Sequence, residues 1–317
     1  MRVLVTGATG FVGRAVLPKL TQAGHQVRIL LRPSPASPRL PKGVPVEVGL
    51  SDLTDAQGVR AALLGMEAVL HLAGGEGQGS RADLTRSDSE ATRTLAAAAR
   101  ETGVRRLIYL SHLGADRASA YPVLQAKAVA EDAIRHGEVP HIIVRAAVIY
   151  GSEDRFTTSL AMTLAVSPGI YFLPGNGSVP LQPLWVGDLA TALVWALDEE
   201  GLIGRTYEIG GPEYLSWKEI VELVMEAARL RRVLAEVRPP VLRAAFRLGE
   251  MLLPWPPFTP FWIDYLAASR TAALETLPRA FGLQPSRMER SLDYLRRRNW
   301  AGEWLRRQLR RSESNHA

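Results

Sequence analysis

The chain has 317 residues, a length that fits one large α/β unit or a main domain with a smaller lobe. Its 47% hydrophobic and 22% charged residues are those of a folded globular protein; the absence of cysteine excludes disulfides, thiolate metal sites and a cysteine nucleophile, and agrees with a reducing cytosol. The net charge of +6 is carried almost wholly by arginine, since the only lysines are Lys19, Lys42, Lys127 and Lys218, and outside the C-terminal tail no basic stripe with interleaved aromatics marks a nucleic-acid surface.

The opening MRVLVTG enters a strand pattern at once, with no apolar signal core or cleavage site. No uncharged apolar run reaches the roughly eighteen residues of a membrane span. A cytoplasmic protein, soluble or peripheral at the inner face of the membrane, is expected. In chain order the pattern gives a strand RVLVT, a helix from about Phe11, strands QVRILL, VPVEVG and AVLHLAG, an alanine-rich helix around Leu95 to Arg100, a strand RLIYLS, a helix after Pro122 and a strand HIIVRA. Buried strands alternating with helices predict an α/β fold of Rossmann type, a doubly wound parallel sheet over residues 1–150. Pro18 falls inside the first helix and predicts a kink or a lost bond there.

Residues 151–317 read as a small mixed, mainly helical C-terminal lobe, some of whose segments return to the first domain. It holds a helix near 155–166, a loop IYFLPGNGS, a strand ending LWV, a helix from Asp188, a strand TYEIGG and a helix from Trp217. The last third, from Arg238, is helical with a proline-rich break, LLPWPPFTPF.

TGATGFVG, residues 6–13, lies between the first strand and the first helix. Glycines at 7, 10 and 13 allow a tight turn and let a pyrophosphate approach the backbone at a helix N-terminus, so this context predicts dinucleotide binding. The second strand ends in LLRP, which puts Arg32 where an acidic residue would hold the ribose 2′-hydroxyl of NAD. An arginine there either stands as a solvated surface charge or grips the 2′-phosphate of NADP, and in the second case one charge-assisted bond of about 1.5 to 3 kcal/mol favours NADP(H) over NAD(H) roughly ten- to a hundredfold. In GLSDLTD, residues 49–55, Asp52 and Leu53 border an adenine, while Thr54 or Asp55 can cap the next helix.

Together TGATGFVG, Arg32, SDLTD, HLAG at 71–74, YLSHLGA at 109–115, YPVLQAK at 121–127, RAAVIYG at 145–151 and EDRF at 153–156 resemble the extended or atypical short-chain dehydrogenase/reductase superfamily, which includes NAD-dependent epimerases and dehydratases. Within it the chain is most similar to the branch containing the 39 kDa NDUFA-type accessory subunit of respiratory complex I and its bacterial relatives. PLWVGDLATAL and YEIGGPEYLSWKEI extend the likeness over nearly the whole chain. The resemblance implies NADP(H) lying across the carboxyl ends of the strands. Gly7, Thr9, Gly10, Phe11 and Gly13 would hold the pyrophosphate, Arg32 the 2′-phosphate and Asp52 with Leu53 the adenine. Leu72, Ala73 and Gly74 would line the cofactor, and Lys127 would bond the nicotinamide ribose. No metal site is expected.

In active members of the superfamily a tyrosine four residues before the lysine moves the proton that accompanies the hydride. Here that position is Val123, which has no proton to give; Tyr121 stands six residues before Lys127, about 240° away around a helix. Pro122 suits the first helical position and leaves Tyr121 outside the helix, free either to swing towards the nicotinamide or to pack at the helix entrance. The serine that assists the tyrosine is Ser111 or, in the other register, is replaced by Leu113. His112 is either an acid–base group or a structural hydrogen bonder.

GGEGQGS, residues 74–80, reads as a flap or a plain surface loop. Arg155 of EDRF meets an anionic substrate or pairs with Glu153 or Asp154. A substrate pocket is expected from Tyr150, Phe156 and Leu184. The stretch RRRNWAGEWLRRQLRR, residues 296–311, sets Trp300, Trp304 and Leu305 at helical spacing among arginines. It and the aromatic loop 252–262 read either as a membrane or partner surface or as a helix packing its tryptophans on the lobe.

Two functions follow. The first is an NADP-dependent oxidoreductase acting on a small hydrophobic carbonyl or quinone-like substrate, with Tyr121 as proton donor, Lys127 as its orienter and Ser111 as hydrogen-bond partner. The second is a non-catalytic NADP(H)-binding protein docking on a respiratory or membrane complex. A nucleotide-sugar epimerase ranks third.

Overall fold

The computed structural model describes residues 1–34, 40–75, 83–252, 269–296 and 298–314. The chain divides into two compact units, the first made of Met1–Ala147, Val186–Gly210 and Ala272–Pro285, the second of Val148–Trp185, Gly211–Thr271 and Ser286–Ala317.

The first unit is built on seven strands: β1 (Arg2–Thr6), β2 (Gln26–Leu31), β3 (Glu47–Leu50), β4 (Ala68–His71), β5 (Arg106–His112), β6 (His141–Ala146) and, after β7 to β10 of the second unit, β11 (Arg205–Ile209). They form one sheet in the order β11-β6-β5-β4-β1-β2-β3, every neighbouring pair parallel. Successive residues of a strand face opposite sides of a sheet, and here both parities are buried. Leu4, Val69, Leu107 and Tyr109 belong to a core shared with α2 (Ala56–Leu63), α3 (Ala91–Glu101) and α4 (Pro122–His136). Val3, Val5, Leu70 and Ile108 are buried on the other parity. The remaining long helices of the unit, α1 (Phe11–Gln22) and α6 (Val186–Trp195), pack on each other. Two buried faces explain why β1, β4 and β5 read as uninterrupted apolar runs, whereas the edge strands β3 and β11 are largely exposed. Pro18 lies inside α1, which nonetheless spans its full length.

The order 3-2-1-4-5-6 is that of a Rossmann sheet, and since all strands run the same way, residues following β1 to β5 gather at one edge. That edge carries the site described below.

The second unit contains three two-stranded pairs. These are β7 (Ile149–Tyr150) with β10 (Leu184–Trp185), β9 (Pro180–Leu181) with β12 (Leu215–Ser216), and β8 (Ile170–Pro174) with β13 (Val233–Val237). The pairing of β13 with β8 is absent from the sequence-based expectation. Around them lie α5 (Thr157–Val166), α7 (Trp217–Ala227), α8 (Pro239–Leu252) and α10 (Trp300–Ser314), while α9 (Thr276–Phe281) belongs to the first unit. Tyr150 and Phe156 belong to the core of the second unit, and Leu184 is likewise fully buried. All three are expected from the sequence to line a pocket; the structure packs them as core side chains instead. The loop expected at 252–262 lies, but for Leu252, outside the described residues.

Asp154 of EDRF is a helix cap. Its Oδ2 accepts from the Gly151 and Thr157 amides at 3.0 and 3.1 Å and its Oδ1 from the Thr158 amide at 2.7 Å, which satisfies the open N–H groups at the start of α5. Burial pushes this carboxyl above its ordinary pKa, while the bonds from Thr157, Thr158 and Gly151 pull the other way.

Candidate cofactor site

The turn between β1 and α1 requires glycine. Gly7 has φ +70°, and a Cβ there would stand 2.6 Å from the Ala73 nitrogen, so the loop is pressed against the end of β4. A Cβ on Gly13 would fall 2.6 Å from the Ala8 Cα. Gly10 is the N-cap of α1, provides no side-chain cap, and is followed by no acid in the first turn, while its own N–H donates to the Gly7 carbonyl at 2.9 Å. The start of α1 therefore presents backbone N–H groups and a positive dipole end without a competing carboxylate, as a pyrophosphate requires. Arg14 donates to the Thr9 carbonyl at 2.9 Å and fixes the loop, with Thr9 and Phe11 half-buried along it.

Beyond β2 and β3, Arg32 and Asp52 meet. Oδ1 of Asp52 accepts from the Thr54 amide at 3.0 Å and the Thr54 hydroxyl at 2.8 Å. Its Oδ2 lies 3.5 Å from Arg32 Nε and 3.7 Å from a terminal nitrogen of Arg86. The Thr54 bonds first, then the two guanidiniums, hold this carboxyl below the ordinary carboxylate range. Asp55, not Thr54, caps α2, accepting from the Gln57 amide at 3.1 Å. Leu53 packs half-buried on the sheet core.

At the end of β4, His71 is fully buried between two threonines, Nδ1 at 2.6 Å from Thr6 Oγ1 and Nε2 at 2.9 Å from Thr92 Oγ1, and stacks on Tyr109 with ring centroids 5.3 Å apart. The following Leu72 and Ala73 are half-buried and Gly74 is exposed. Residues 76–80 of the glycine-rich loop lie outside the described residues.

Lys127 is 2% exposed. Its Nζ lies 3.0 Å from Asp88 Oδ1 and 5.6 Å from the centroid of the Tyr109 ring. Tyr121 occupies the N-cap of α4 in an extended conformation, φ −103° and ψ 116°, with Pro122 at the first helical position; its carbonyl accepts from the Leu124 and Gln125 amides, and its side chain, half-buried, makes no cap bond. It thus stands outside the helix, as Pro122 dictates. Val123 sits one turn before Lys127. Ser111, near the end of β5, donates its hydroxyl proton to Glu131 Oε1 at 2.6 Å. Glu131, fully buried on α4, takes a bidentate grip from Arg145 at 2.8 and 2.7 Å and a further bond from Arg135 at 2.8 Å. His112 closes β5, half-buried.

Residues 7–163 match the family described as NAD(P)H-binding. The chain is 31% identical over 284 residues to the Arabidopsis thaliana mitochondrial NADH dehydrogenase [ubiquinone] 1 alpha subcomplex subunit 9, an alignment covering 85% of this chain and 70% of that protein. It is 32% identical over 268 residues to the (4-alkanoyl-5-oxo-2,5-dihydrofuran-3-yl)methyl phosphate reductase of Streptomyces griseus, covering 78% of this chain and 86% of the reductase. The chain belongs to the NAD(P)-binding, epimerase/dehydratase-like short-chain dehydrogenase/reductase superfamily. Among solved structures, the UDP-glucose 4-epimerase of Thermus thermophilus in complex with NAD superposes with a TM-score of 0.68 at 23% identity over 93% of this chain and 97% of that one, a likeness of fold.

For a member of this superfamily the glycine turn meets the steric demands of a dinucleotide, whereas three groups carry neighbours that sequence reasoning missed. Asp88 pairs with the lysine, Glu131 takes the serine proton, and Arg86 joins Arg32 at Asp52. A signal for Glu131 exists, since Lys127, Glu131 and Arg135 recur every fourth residue along α4 and form a charged row on a helix whose other buried positions are mostly alanine or leucine. Nothing in TRSDSE marks Asp88. Its partner lies on a different element, and it sits on a π-helix, Thr85–Glu90, that no residue pattern announces.

Proposed function

We propose that the protein binds NADP(H) in preference to NAD(H) and moves a hydride to or from a small hydrophobic carbonyl or quinone-like substrate. The observation carrying this reading is the pair of arginines, Arg32 after β2 and Arg86 after β4, that both face Oδ2 of Asp52, together with a glycine turn that leaves the start of α1 open. Gly7, Thr9, Gly10, Phe11 and Gly13 hold the pyrophosphate, the two arginines the 2′-phosphate, and Asp52 with Leu53 the adenine. Leu72, Ala73 and Gly74 line the nicotinamide half, and Lys127 bonds its ribose. When bound, the nicotinamide supplies or accepts the hydride. Tyr121, outside α4, moves the accompanying proton. Ser111, whose own proton goes to Glu131, takes part only as an acceptor, which turns the tyrosine hydroxyl rather than polarising a substrate carbonyl. The relative named as a reductase supports the oxidoreductase class.

A screen of carbonyl and quinone acceptors, following loss of NADPH absorbance, tests the chemistry. With an acceptor found, Tyr121→Phe is expected to lower turnover by about 10²- to 10⁴-fold, the usual worth of a general acid. Turnover unchanged by that substitution removes Tyr121 from the reaction.

A second reading has its own support. In α10, Trp300 is buried and donates to the Leu295 carbonyl at 3.0 Å, and Trp304 packs on the core of the second unit, so both tryptophans are structural. Leu305 and Leu309 remain 53% and 58% exposed among arginines. With a subunit of a mitochondrial NADH dehydrogenase among the relatives, that face fits a membrane-bound complex or its lipid. Leu305→Glu with Leu309→Glu then abolishes co-sedimentation with anionic vesicles or membranes and leaves NADPH binding intact. Unaltered sedimentation removes the face from docking.

A further inference from the structure

Asp88 has no part in the chemistry above, yet it is 1% exposed and lies at the centre of the lysine's surroundings. Its two oxygens are divided between two walls of the site. Oδ2 accepts the Gly75 amide at 2.8 Å and the Ser87 hydroxyl at 2.9 Å, which fixes the chain directly after Leu72, Ala73 and Gly74. Oδ1 faces Lys127 Nζ at 3.0 Å. An ammonium ion kept this dry needs an anion beside it to stay protonated, and a 3.0 Å ion pair to a carboxylate whose other oxygen is tied to Gly75 and Ser87 fixes where that ammonium stands. The Tyr109 ring, itself stacked on His71, borders the lysine from the β5 side.

We propose that Asp88 is the positioning residue of this site: it keeps Lys127 charged and aimed at the cofactor's ribose hydroxyls, and so sets the affinity for both nicotinamide dinucleotides without touching either. The inference rests on the reading that Lys127 bonds the ribose. It departs from the 2′-phosphate argument, because the ribose is common to NADPH and NADH.

The test is a cycle of Asp88→Asn, Lys127→Met and the double variant, measuring the dissociation constants of NADPH and NADH by fluorescence titration and the melting temperature of each protein without cofactor. Asparagine can still accept the Gly75 and Ser87 bonds with its single oxygen, so the substitution keeps that wall and turns an amide NH2 instead of a carboxylate oxygen towards Lys127. Asp88→Asn is expected to weaken NADPH and NADH by the same factor, about tenfold or more, the worth of one charge-assisted bond. On the Lys127→Met background the same substitution changes neither constant, and the double variant melts above Asp88→Asn because the buried ammonium has gone together with its carboxylate. A folded Asp88→Asn protein that binds both cofactors as tightly as wild type overturns the proposal. Should Asp88→Asn not fold, the Lys127→Met background decides, and a further loss of affinity there shows Asp88 acting by itself and overturns the proposal too. Failure of the underlying reading is distinguishable: Lys127→Met then binds as wild type does, or wild type binds neither dinucleotide.

Discussion

Replacing Glu131 with alanine destabilises the first unit by about 3 to 5 kcal/mol, the usual cost of removing one partner from a buried ionic cluster. Glu131 is fully buried and holds together three elements: Arg145 of β6 by a bidentate pair, Arg135 one turn along α4, and Ser111 of β5. Its loss leaves the Arg145 guanidinium, only partly exposed and otherwise met by Glu208 at 3.2 Å, facing a cavity, and leaves the Ser111 proton without its acceptor. For a unit of this size each kcal/mol lowers the melting temperature by roughly 2 to 4 °C, so a fall of roughly 6 to 20 °C is expected in calorimetry. A shift below about 2 °C would show that the cluster is solvated and replaceable, in the manner of a surface ion pair.

Gly13→Ala has the second large effect, and it falls on the cofactor. The added Cβ meets the Gly7 carbonyl oxygen and lies 2.6 Å from the Ala8 Cα, both backbone, so α1 must move away from the loop whose N–H groups face the pyrophosphate. Overpacking of this kind costs about 1 to 3 kcal/mol. If that displacement is relieved in the free protein and reimposed on binding, NADPH affinity drops roughly 5- to 150-fold. The control is Gly24→Ala, at positive φ but with nothing within 4 Å of its Cβ. It carries a backbone strain of about 1 to 2 kcal/mol and binds cofactor normally. Equal affinity losses in the two variants would mean that stability, and not the turn geometry, governs binding.

The two effects arise from features that are unequally legible in the sequence. Gly7, Gly10 and Gly13 are readable because a steric requirement of the backbone leaves its mark at fixed offsets between a strand and a helix. The central sheet is readable for a similar reason: burial on both faces turns β1, β4 and β5 into apolar runs with no polar alternation to confuse the period. Pro122 alone places Tyr121 outside α4, since proline restricts the residue before it. The ionic clusters leave no such mark. Asp88 and Lys127 lie on different elements, as do Ser111 and Arg145 in the Glu131 cluster, and the contacts within each form only once the chain has folded. Tyr150, Phe156 and Leu184 read wrongly as pocket residues because an apolar pocket and an apolar core draw on the same residue types, and only packing separates them. In the tail, helical spacing identifies Trp300 and Trp304 as one face, but membrane docking and packing against the unit's own core predict the same spacing. Burial of Trp300 decides for packing.

The function proposed for this protein turns on which nucleotide it binds. The direct measurement is a parallel titration of the purified protein with NADPH and NADH, repeated with Arg32→Ala. Arg32 is 66% exposed, and its ion pair to Asp52 is long enough at 3.5 Å to yield to a phosphate. NADPH is expected to bind roughly ten- to a hundredfold more tightly than NADH, with the preference falling in Arg32→Ala, collapsing when Arg86→Ala is added, and NADH affinity staying as it was. Equal affinities for the two dinucleotides in the wild-type protein, or tighter binding of NADH, would contradict it.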